Sequence, residues 1–188
     1  GRALALRAAA GMASVALGHD GHASFGAWGQ AAALPAAFDG LLQTADPLIG
    51  GGGAPRDRTT SWAKFLAMPG LWALMGYGYW IFAERDSDRP MGGGGFSNFE
   101  RGIAGLEGFA EAGWAIEPDW WGKGAVSEIM AAALVWGDAH LPGSGVRCII
   151  DDGNGASHRV AEKLGFQSLG AVPFGEGTTN LYHRDFMR

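Results

Sequence analysis

Between residues 109 and 184 the hydrophobic and polar positions alternate between two periods, and they predict a regular succession of strands and helices. Residues 109–117 form an apolar run bounded by glycine and proline, as a buried strand would. Within 125–139, Val126, Ile129, Met130, Ala133, Leu134 and Gly137 fall at i, i+3, i+4, i+7, i+8 and i+11, which gives a helix with one apolar stripe. Residues 143–150 are the next strand. A strand, a helix and a strand in about forty residues make a βαβ unit, so the two strands are expected to be parallel with a right-handed crossover. A second helix is expected over 155–164, with Val160, Ala161 and Leu164 inward and Gly165 as its left-handed cap. Residues 169–172 and 179–184 read as a closing antiparallel pair.

Upstream the pattern is weaker. Leu4-Ala5-Leu6 with Arg7 reads as a short first strand, and the alanines and glycines of 8–37 are read as one or two helices. Thr59, Thr60 and Ser61 are candidate N-caps for a helix carrying Trp62, Phe65 and Leu66, expected to end before Pro69-Gly70. Strands over 79–84 and 91–98 are joined by the turn-rich Asp86-Ser87-Asp88-Arg89-Pro90 as a hairpin. Two glycine runs stand out. Gly50-Gly51-Gly52-Gly53, between Pro47 and Pro55, reads as a flexible loop, whereas Gly92-Gly93-Gly94-Gly95 lies in an apolar strand and points to a bulge or a close backbone approach. The whole is a mixed, mainly antiparallel sheet with a central parallel βαβ unit and flanking helices, an α/β (α+β) fold.

The 188 residues suit one domain, residues 1–188, with 47% hydrophobic and 18% charged residues. No apolar run approaches the ~20 residues of a membrane span. The start, Gly1-Arg2-Ala3-Leu4-Ala5-Leu6-Arg7, lacks the apolar core and cleavage site of a secretory leader, so a cytoplasmic location is expected. A net charge of −5 without a basic run argues against nucleic-acid binding and suits a cationic partner better. Cys148 is the single cysteine, which excludes an intrachain disulfide and a cysteine metal cluster, and its apolar neighbours make it a buried filler. The histidines are scattered; His19 and His22 are near each other but have no further ligands to complete a zinc site. Asp151-Asp152-Gly153-Asn154-Gly155 looks like a calcium loop, but the bidentate glutamate such a loop needs is missing. No metal is therefore expected. A serine hydrolase is also hard to build, since Gly143-Ser144-Gly145 precedes a strand rather than a helix.

The strongest chemical signal is Gly122-Lys123-Gly124, placed between the central strand and the start of the helix at Ala125. Glycines there let backbone N–H groups approach a ligand, and the unpaired amides of the first helical turn add partial positive charge. A pyrophosphate would sit there. Lys123 either contacts it or is a solvated surface charge. A second signal follows about thirty residues on, where Asn154 and Ser157 open a short helix that leads to Glu162-Lys163-Leu164-Gly165-Phe166.

In this order the two segments resemble the GNAT superfamily of acyl-CoA-dependent N-acetyltransferases, and are most similar to its ribosomal-protein N-terminal acetyltransferase (RimJ/RimL-like) branch. The features that carry the resemblance are an acidic strand, Pro118, the aromatics Trp120 and Trp121, Gly122-Lys123-Gly124, then Asn154-x-x-Ser157 and Lys163-Leu164-Gly165-Phe166. Asp119 stands where the best-known motif has glutamine or arginine, and Ala125-Val126 where a large residue often precedes alanine.

The resemblance implies acetyl-CoA as donor and a primary amine, a protein N-terminus or a small molecule, as acceptor. Transfer is expected to be direct, in a ternary complex. Trp114 and Ile116 would offer backbone groups to the pantetheine arm, and Trp121, Gly122, Lys123, Gly124, Ala125 and Val126 would surround the pyrophosphate. Asn154 and Ser157 would lie near the arm and the sulfur, although Asn154 is equally well placed to be a helix cap. Such chemistry needs a base, and Glu111 is the first candidate, with Glu107 and Glu117 behind it. Tyr182 or Ser157 would protonate the leaving thiolate. The rival readings are a non-catalytic acyl-CoA-binding module and a Rossmann-type nucleotide domain; the latter is disfavoured because Ser127 follows where a third glycine belongs. A homodimer is left open.

Overall fold

The structure, a computed structural model, describes residues 4–8, 14–17, 23–26, 58–84 and 90–188. In chain order the elements are β1 (Leu4–Ala8), β2 (Ser14–Leu17), β3 (Ala23–Gly26), α1 (Arg58–Met75), β4 (Tyr79–Glu84), β5 (Pro90–Ser97), β6 (Ala110–Ile116), α2 (Ala125–His140), β7 (Gly145–Ile150), α3 (Gly155–Lys163), β8 (Gln167–Phe174) and β9 (Gly177–Asp185). The strands form one sheet in the order β3-β2-β1-β4-β5-β6-β7-β9-β8. Every neighbouring pair is antiparallel except β6 and β7, which are parallel and joined through α2. This is the mixed sheet with a central βαβ unit that the periodicity predicts.

The apolar stripe of α2 packs as expected. Ile129, Met130, Ala133 and Leu134 are buried against Phe82, Met91, Phe96 and Val146 of the sheet in one hydrophobic cluster. Where the stripe reaches Gly137, Asp138 is buried beside it and receives both terminal nitrogens of Arg184, at 2.7 and 3.0 Å. That bidentate pair ties α2 to β9. Gly165 adopts φ 84° after α3, and Phe166 N–H donates to Ala161 O, closing the helix with the expected left-handed cap.

Two expectations are corrected. Helices were expected within 8–37, but Ser14–Leu17 and Ala23–Gly26 are strands, paired in series onto β1. Four-residue runs are too short to show a period, and a neighbouring strand supplies backbone partners that alanine's helix preference does not outweigh. The remainder of that segment, with His19, His22 and the 50–53 glycine run, lies outside the described residues, as does the 85–89 turn. The second correction concerns α1, which runs through Pro69 to Met75. Proline removes one helical N–H, and packing beyond it offsets the loss. Trp72 is buried, donates its indole N–H to Tyr79 O at 3.0 Å, and meets the rings of Trp80 and Trp136 at 5.0 and 5.6 Å.

The glycines of β5 have the cause expected of them. A side-chain carbon at Gly94 would lie 2.6 Å from Gly113 O, and one at Gly92 or Gly95 would also collide with backbone. A register shift between Phe82 and Ala83 adds the bulge.

Candidate active site

The site is made by a strand that loses its neighbour. β6 and β7 are in register at Ala110↔Val146 and Glu111↔Arg147 and nowhere beyond, although both strands run on to Ile116 and Ile150. Glu117 N–H donates to Met91 O of β5 at 2.8 Å, so the odd-numbered backbone groups of β6 face β5. By alternation, the N–H and C=O of Trp114 and Ile116 face the side that β7 has left. Apart from the Ile116 C=O, which accepts from Trp121 Nε1–H, they form an open strand edge inside the protein, which an extended amide-bearing ligand can join.

A cleft of about 380 Å³ occupies this gap. Its floor is Trp114, Ala115 and Ile116; one wall is Trp120, Trp121 and the turn into α2; the other is α3, with Ala156, Ser157, Arg159, Val160 and Lys163. At the turn, Gly122 and Gly124 have φ 68° and 78°, the left-handed region that side chains resist, and nothing lies within 4 Å of where a Cβ would stand on either. Gly124 is the N-cap residue of α2 and provides no side-chain cap. The first-turn amides of α2 are thus left for a ligand at its positive end. Trp121, half exposed, donates its indole N–H to Ile116 O at 3.0 Å. Lys123 is not part of the cleft lining; its Nζ lies 5.7 Å from the centre of the Trp120 ring.

Asn154 is the N-cap of α3, its Oδ1 accepting from Ser157 N–H at 3.0 Å. Ser157 Oγ is 3.3 Å from Trp114 Nε1. An indole nitrogen can only donate, so Ser157 accepts from Trp114 and its own hydroxyl hydrogen is directed elsewhere. The serine borders the cleft, where that hydrogen can serve a ligand.

Glu111 and Tyr182 do not line the cleft. Glu111 lies at the last paired position of β6, on the opposite face from Ala110 and Ala112, which pack under α2. It is buried, with Oε2 2.9 Å from Arg101 Nε. Burial pushes its carboxyl pKa above the usual range, and the Arg101 charge opposes that rise without cancelling it. Tyr79 shares this environment: burial, reinforced by the Glu111 carboxylate, raises its phenol to about 12. Tyr182 is buried on the helix side, its hydroxyl 2.7 Å from His158 Nδ1 of α3. Burial raises the Tyr182 pKa, with Glu162 and Cys148 adding to it, so the phenol keeps its proton at neutral pH. Of the other carboxylates, Glu107 is exposed in the loop before β6 and accepts from Gly105 N–H, while Glu117 is buried. Cys148 is buried and its thiol is pushed far up by desolvation, which leaves it inert. Among the described residues no group of acids, histidines and cysteine could hold a metal, and no helix is long and apolar enough to cross a membrane.

Residues 31–167, well over half of the chain, match the family described as acetyltransferase (GNAT) domain. The chain belongs to the GNAT acetyltransferases. Over 93 residues it is 30% identical to the uncharacterised N-acetyltransferase YoaA of Bacillus subtilis, half of this chain against half of that one, so the chain spans about half the length of that curated relative. A Bordetella pertussis protein assigned to the GnaT family is 27% identical with a TM-score of 0.70, over 79% of this chain and 90% of its own. RimL, a ribosomal L7/L12 α-N-protein acetyltransferase in complex with coenzyme A, shares the fold at TM-score 0.65 and 13% identity, over 96% and 98% of the two chains. The GNAT family agrees with the resemblance read from the motifs, and acetyl-CoA is the donor of this family.

In this GNAT chain the fold brings together Trp114, Ile116, Trp121, Gly122, Gly124, Ala125, Val126, Asn154 and Ser157 around one cleft, and leaves Lys123, Glu111 and Tyr182 outside its lining. Sequence reasoning missed Arg159 and Lys163, although with Ala156 and Val160 they form an i, i+3, i+4, i+7 stripe that could have shown them on one helix face. It also missed Arg101 and His158, which hold Glu111 and Tyr182; no local spacing could have found partners that only the fold brings near.

Proposed function

We propose that this chain is an acetyl-CoA-dependent N-acetyltransferase that acts on a primary amine, a protein N-terminus or a small molecule, by direct transfer in a ternary complex. The observation that carries the reading is the parting of β6 from β7, which leaves the N–H groups of Trp114 and Ile116 without a strand partner beside a side-chain-free turn at a helix start. These groups fit the donor: strand-edge amides suit the pantetheine arm, and the amides of 122–126 suit the pyrophosphate. When bound, the thioester supplies an activated acetyl group. The N–H groups of Trp114 and Ile116 would stabilise the negative charge that develops on its carbonyl oxygen.

Glu111, directly or through a water, would accept the proton of the attacking amine, and its raised pKa brings its basicity nearer to that task. Ser157, whose hydroxyl hydrogen is free of Trp114, is the better placed donor to the leaving thiolate; Tyr182, behind it on His158, is the second. We read residues 1–188 as a single domain, since one sheet includes strands from Leu4–Ala8 to Gly177–Asp185.

A second reading, a non-catalytic acyl-CoA-binding module, is favoured by one feature: Glu111 is buried and already ion-paired to Arg101. Acetyl transfer to a screened panel of amines separates the two. Both require that the cofactor bind the folded cleft, and at 100 times its Kd acetyl-CoA should add about 2.7 kcal/mol, or roughly 5 to 10 °C in Tm. A folded protein whose Tm is unmoved by millimolar acetyl-CoA would overturn both readings.

A further inference from the structure

Glu111 and Arg101 form an ion pair with two open ends. Glu111 Oε2 accepts from Arg101 Nε at 2.9 Å, which uses one oxygen of the carboxylate and one nitrogen of the guanidinium. Within the described residues, Glu111 Oε1 and both terminal nitrogens of Arg101 make no hydrogen bond. The Arg101 side chain keeps 35% of its surface and that of Glu111 8%, so the arginine end is broadly open and the carboxylate end narrowly so. Only a small group can meet both. The pair stands on the face of β6 away from α2, at the last residue before the strand parts from β7.

The loop that delivers Arg101 is held in a strained turn. Glu100 has φ 48°, the one left-handed non-glycine residue among those described, and its N–H and its carboxylate are both bonded to the side chain of Asn98, at 3.3 and 2.8 Å. This turn brings the guanidinium carbon of Arg101 to 4.9 Å from the centre of the Phe99 ring. Phe99 in turn meets the Tyr79 ring at 6.2 Å, and a side-chain carbon at Gly113 would collide with the Tyr79 hydroxyl. The phenol therefore lies along the same face of β6 as Glu111, two residues nearer the open edge. Two rings and a fixed turn hold the arginine in place beside the carboxylate.

We propose that the acceptor is a free α-amino acid, and that the Glu111–Arg101 pair reads its zwitterion head to head, the ammonium on Glu111 and the carboxylate on the terminal nitrogens of Arg101. The inference rests on the N-acetyltransferase reading given above and names the acceptor class for it. In an α-amino acid the nitrogen and the carboxyl carbon are about 2.5 Å apart, comparable to the offset between the Nε that Glu111 takes and the terminal nitrogens left over on the same planar group. A zwitterion added to an ion pair alternates the four charges and leaves the site neutral. A polyamine would bring a second cation against Arg101, and a protein N-terminus would offer it only a neutral carbonyl, with bonds about half as strong as those to a carboxylate. The ammonium gives one proton to Glu111, which exposes the electron pair that forms the new N–C bond as the C–S bond of the thioester breaks. The second proton lost from nitrogen balances the one taken up by the sulfur.

The test compares acceptors that differ in that carboxylate alone. Each common L-amino acid, its carboxamide and a tripeptide that begins with the same residue are offered to the whole chain with acetyl-CoA. The amine of an amide is less basic, so more of it is uncharged at neutral pH and chemistry alone favours the amide. Even so, at least one amino acid should be used with a kcat/KM about tenfold or more above its amide and its tripeptide, which corresponds to about 1.4 kcal/mol. Arg101→Gln should bring the acid-to-amide ratio close to one, mainly through the KM of the acid, and Arg101→Lys, a charge without the fork, should fall between. A residue that merely held Glu111 would slow both acceptors alike and leave the ratio unchanged. Where a variant is too slow to assay, calorimetric Kd values of acid and amide for its coenzyme A complex give the same ratio. Transfer by wild type to amides, tripeptides or polyamines as readily as to amino acids would overturn the proposal and leave the N-acetyltransferase reading intact. So would a preference for the acid undiminished in folded Arg101→Gln. No transfer to any amine, by a chain that acetyl-CoA stabilises, would overturn the N-acetyltransferase reading and this acceptor with it.

Discussion

The two ends of β6 are built in opposite ways. At Ala110 and Glu111 the strand is paired on both sides, buried, and its one charged side chain is held by Arg101. Three to five residues later, at Trp114 to Ile116, it has β5 on one side and an open cleft on the other. The closed end presents side-chain chemistry in a desolvated setting; the open end presents backbone. The GNAT reading divides the work along the same line, with the base at the closed end and cofactor recognition at the open one. If that division is right, single substitutions should separate binding from catalysis.

The largest effect is expected at the closed end. Glu111→Gln should keep the acetyl-CoA-induced rise in Tm and lower kcat by about 10² to 10⁴, the range of general acid–base catalysis. The pH dependence carries a sign. Below the raised Glu111 pKa the carboxyl is protonated and cannot accept a proton, so wild-type kcat/KM should fall on the acid side at a pH above the ordinary glutamate value of about 4.3. The variant should lack that limb, and its rate should climb with pH as more of the amine becomes neutral. A pH–rate profile of both proteins on one amine decides it: a variant as active as wild type throughout would move the base away from Glu111 and leave positioning as the simpler account.

Next in size is a break at the open end. Gly124→Glu places a carboxylate where the pyrophosphate would lie, at a position whose φ of 78° resists any side chain. It should abolish the acetyl-CoA shift, a loss of about 2.7 kcal/mol at 100 times the wild-type Kd, and with it activity. Nothing lies within 4 Å of the added Cβ, so the apo protein should incur only the backbone strain and stay folded. Undiminished cofactor affinity in the folded variant would mean that the phosphates bind elsewhere.

The same contrast explains what could be read from the sequence. The open end was legible because backbone sites leave local signatures: Gly122 and Gly124 before an apolar stripe, and Asn154 with Ser157 three residues apart at a helix start. The glycines of β5 were legible for a similar reason, since crowding by Gly113 O and Gly78 O admits nothing larger. The closed end was legible only as a residue type. That Glu111 has Arg101 as partner, that Tyr182 bonds to His158, and that Arg159 and Lys163 border the cleft depend on which strands and helices adjoin. Helix limits suffered likewise. Pro69 is a local stop signal, and it was overridden by Trp72 packing against Trp80 and Trp136, residues 8 and 64 positions further along. In β2 and β3, four residues each, there was too little chain for a period to register.

The smallest expected effect tests one hydrogen bond within the open end. Trp114 contributes its backbone to the open edge, and its indole N–H, 3.3 Å from Ser157 Oγ, orients the hydroxyl proposed to protonate the thiolate. Donation to an oxygen also makes its own O–H a stronger donor, because hydrogen bonds in series polarise one another. Trp114→Phe keeps an aromatic ring that can still pack near Phe166, whose centroid is 6.4 Å away, and removes the donor. The backbone amides at this position are unchanged, so the Kd for acetyl-CoA should move by no more than about threefold. With the bond worth about 0.5 to 1.5 kcal/mol, kcat should fall roughly 2- to 12-fold. Ser157→Ala should cost at least as much, and the double variant no more than Ser157→Ala alone, since the two residues act through one proton. Steady-state kinetics on the four proteins of that cycle give the answer. Additive losses would show that Trp114 and Ser157 act independently, and the indole would then have no part in orienting the Ser157 hydroxyl.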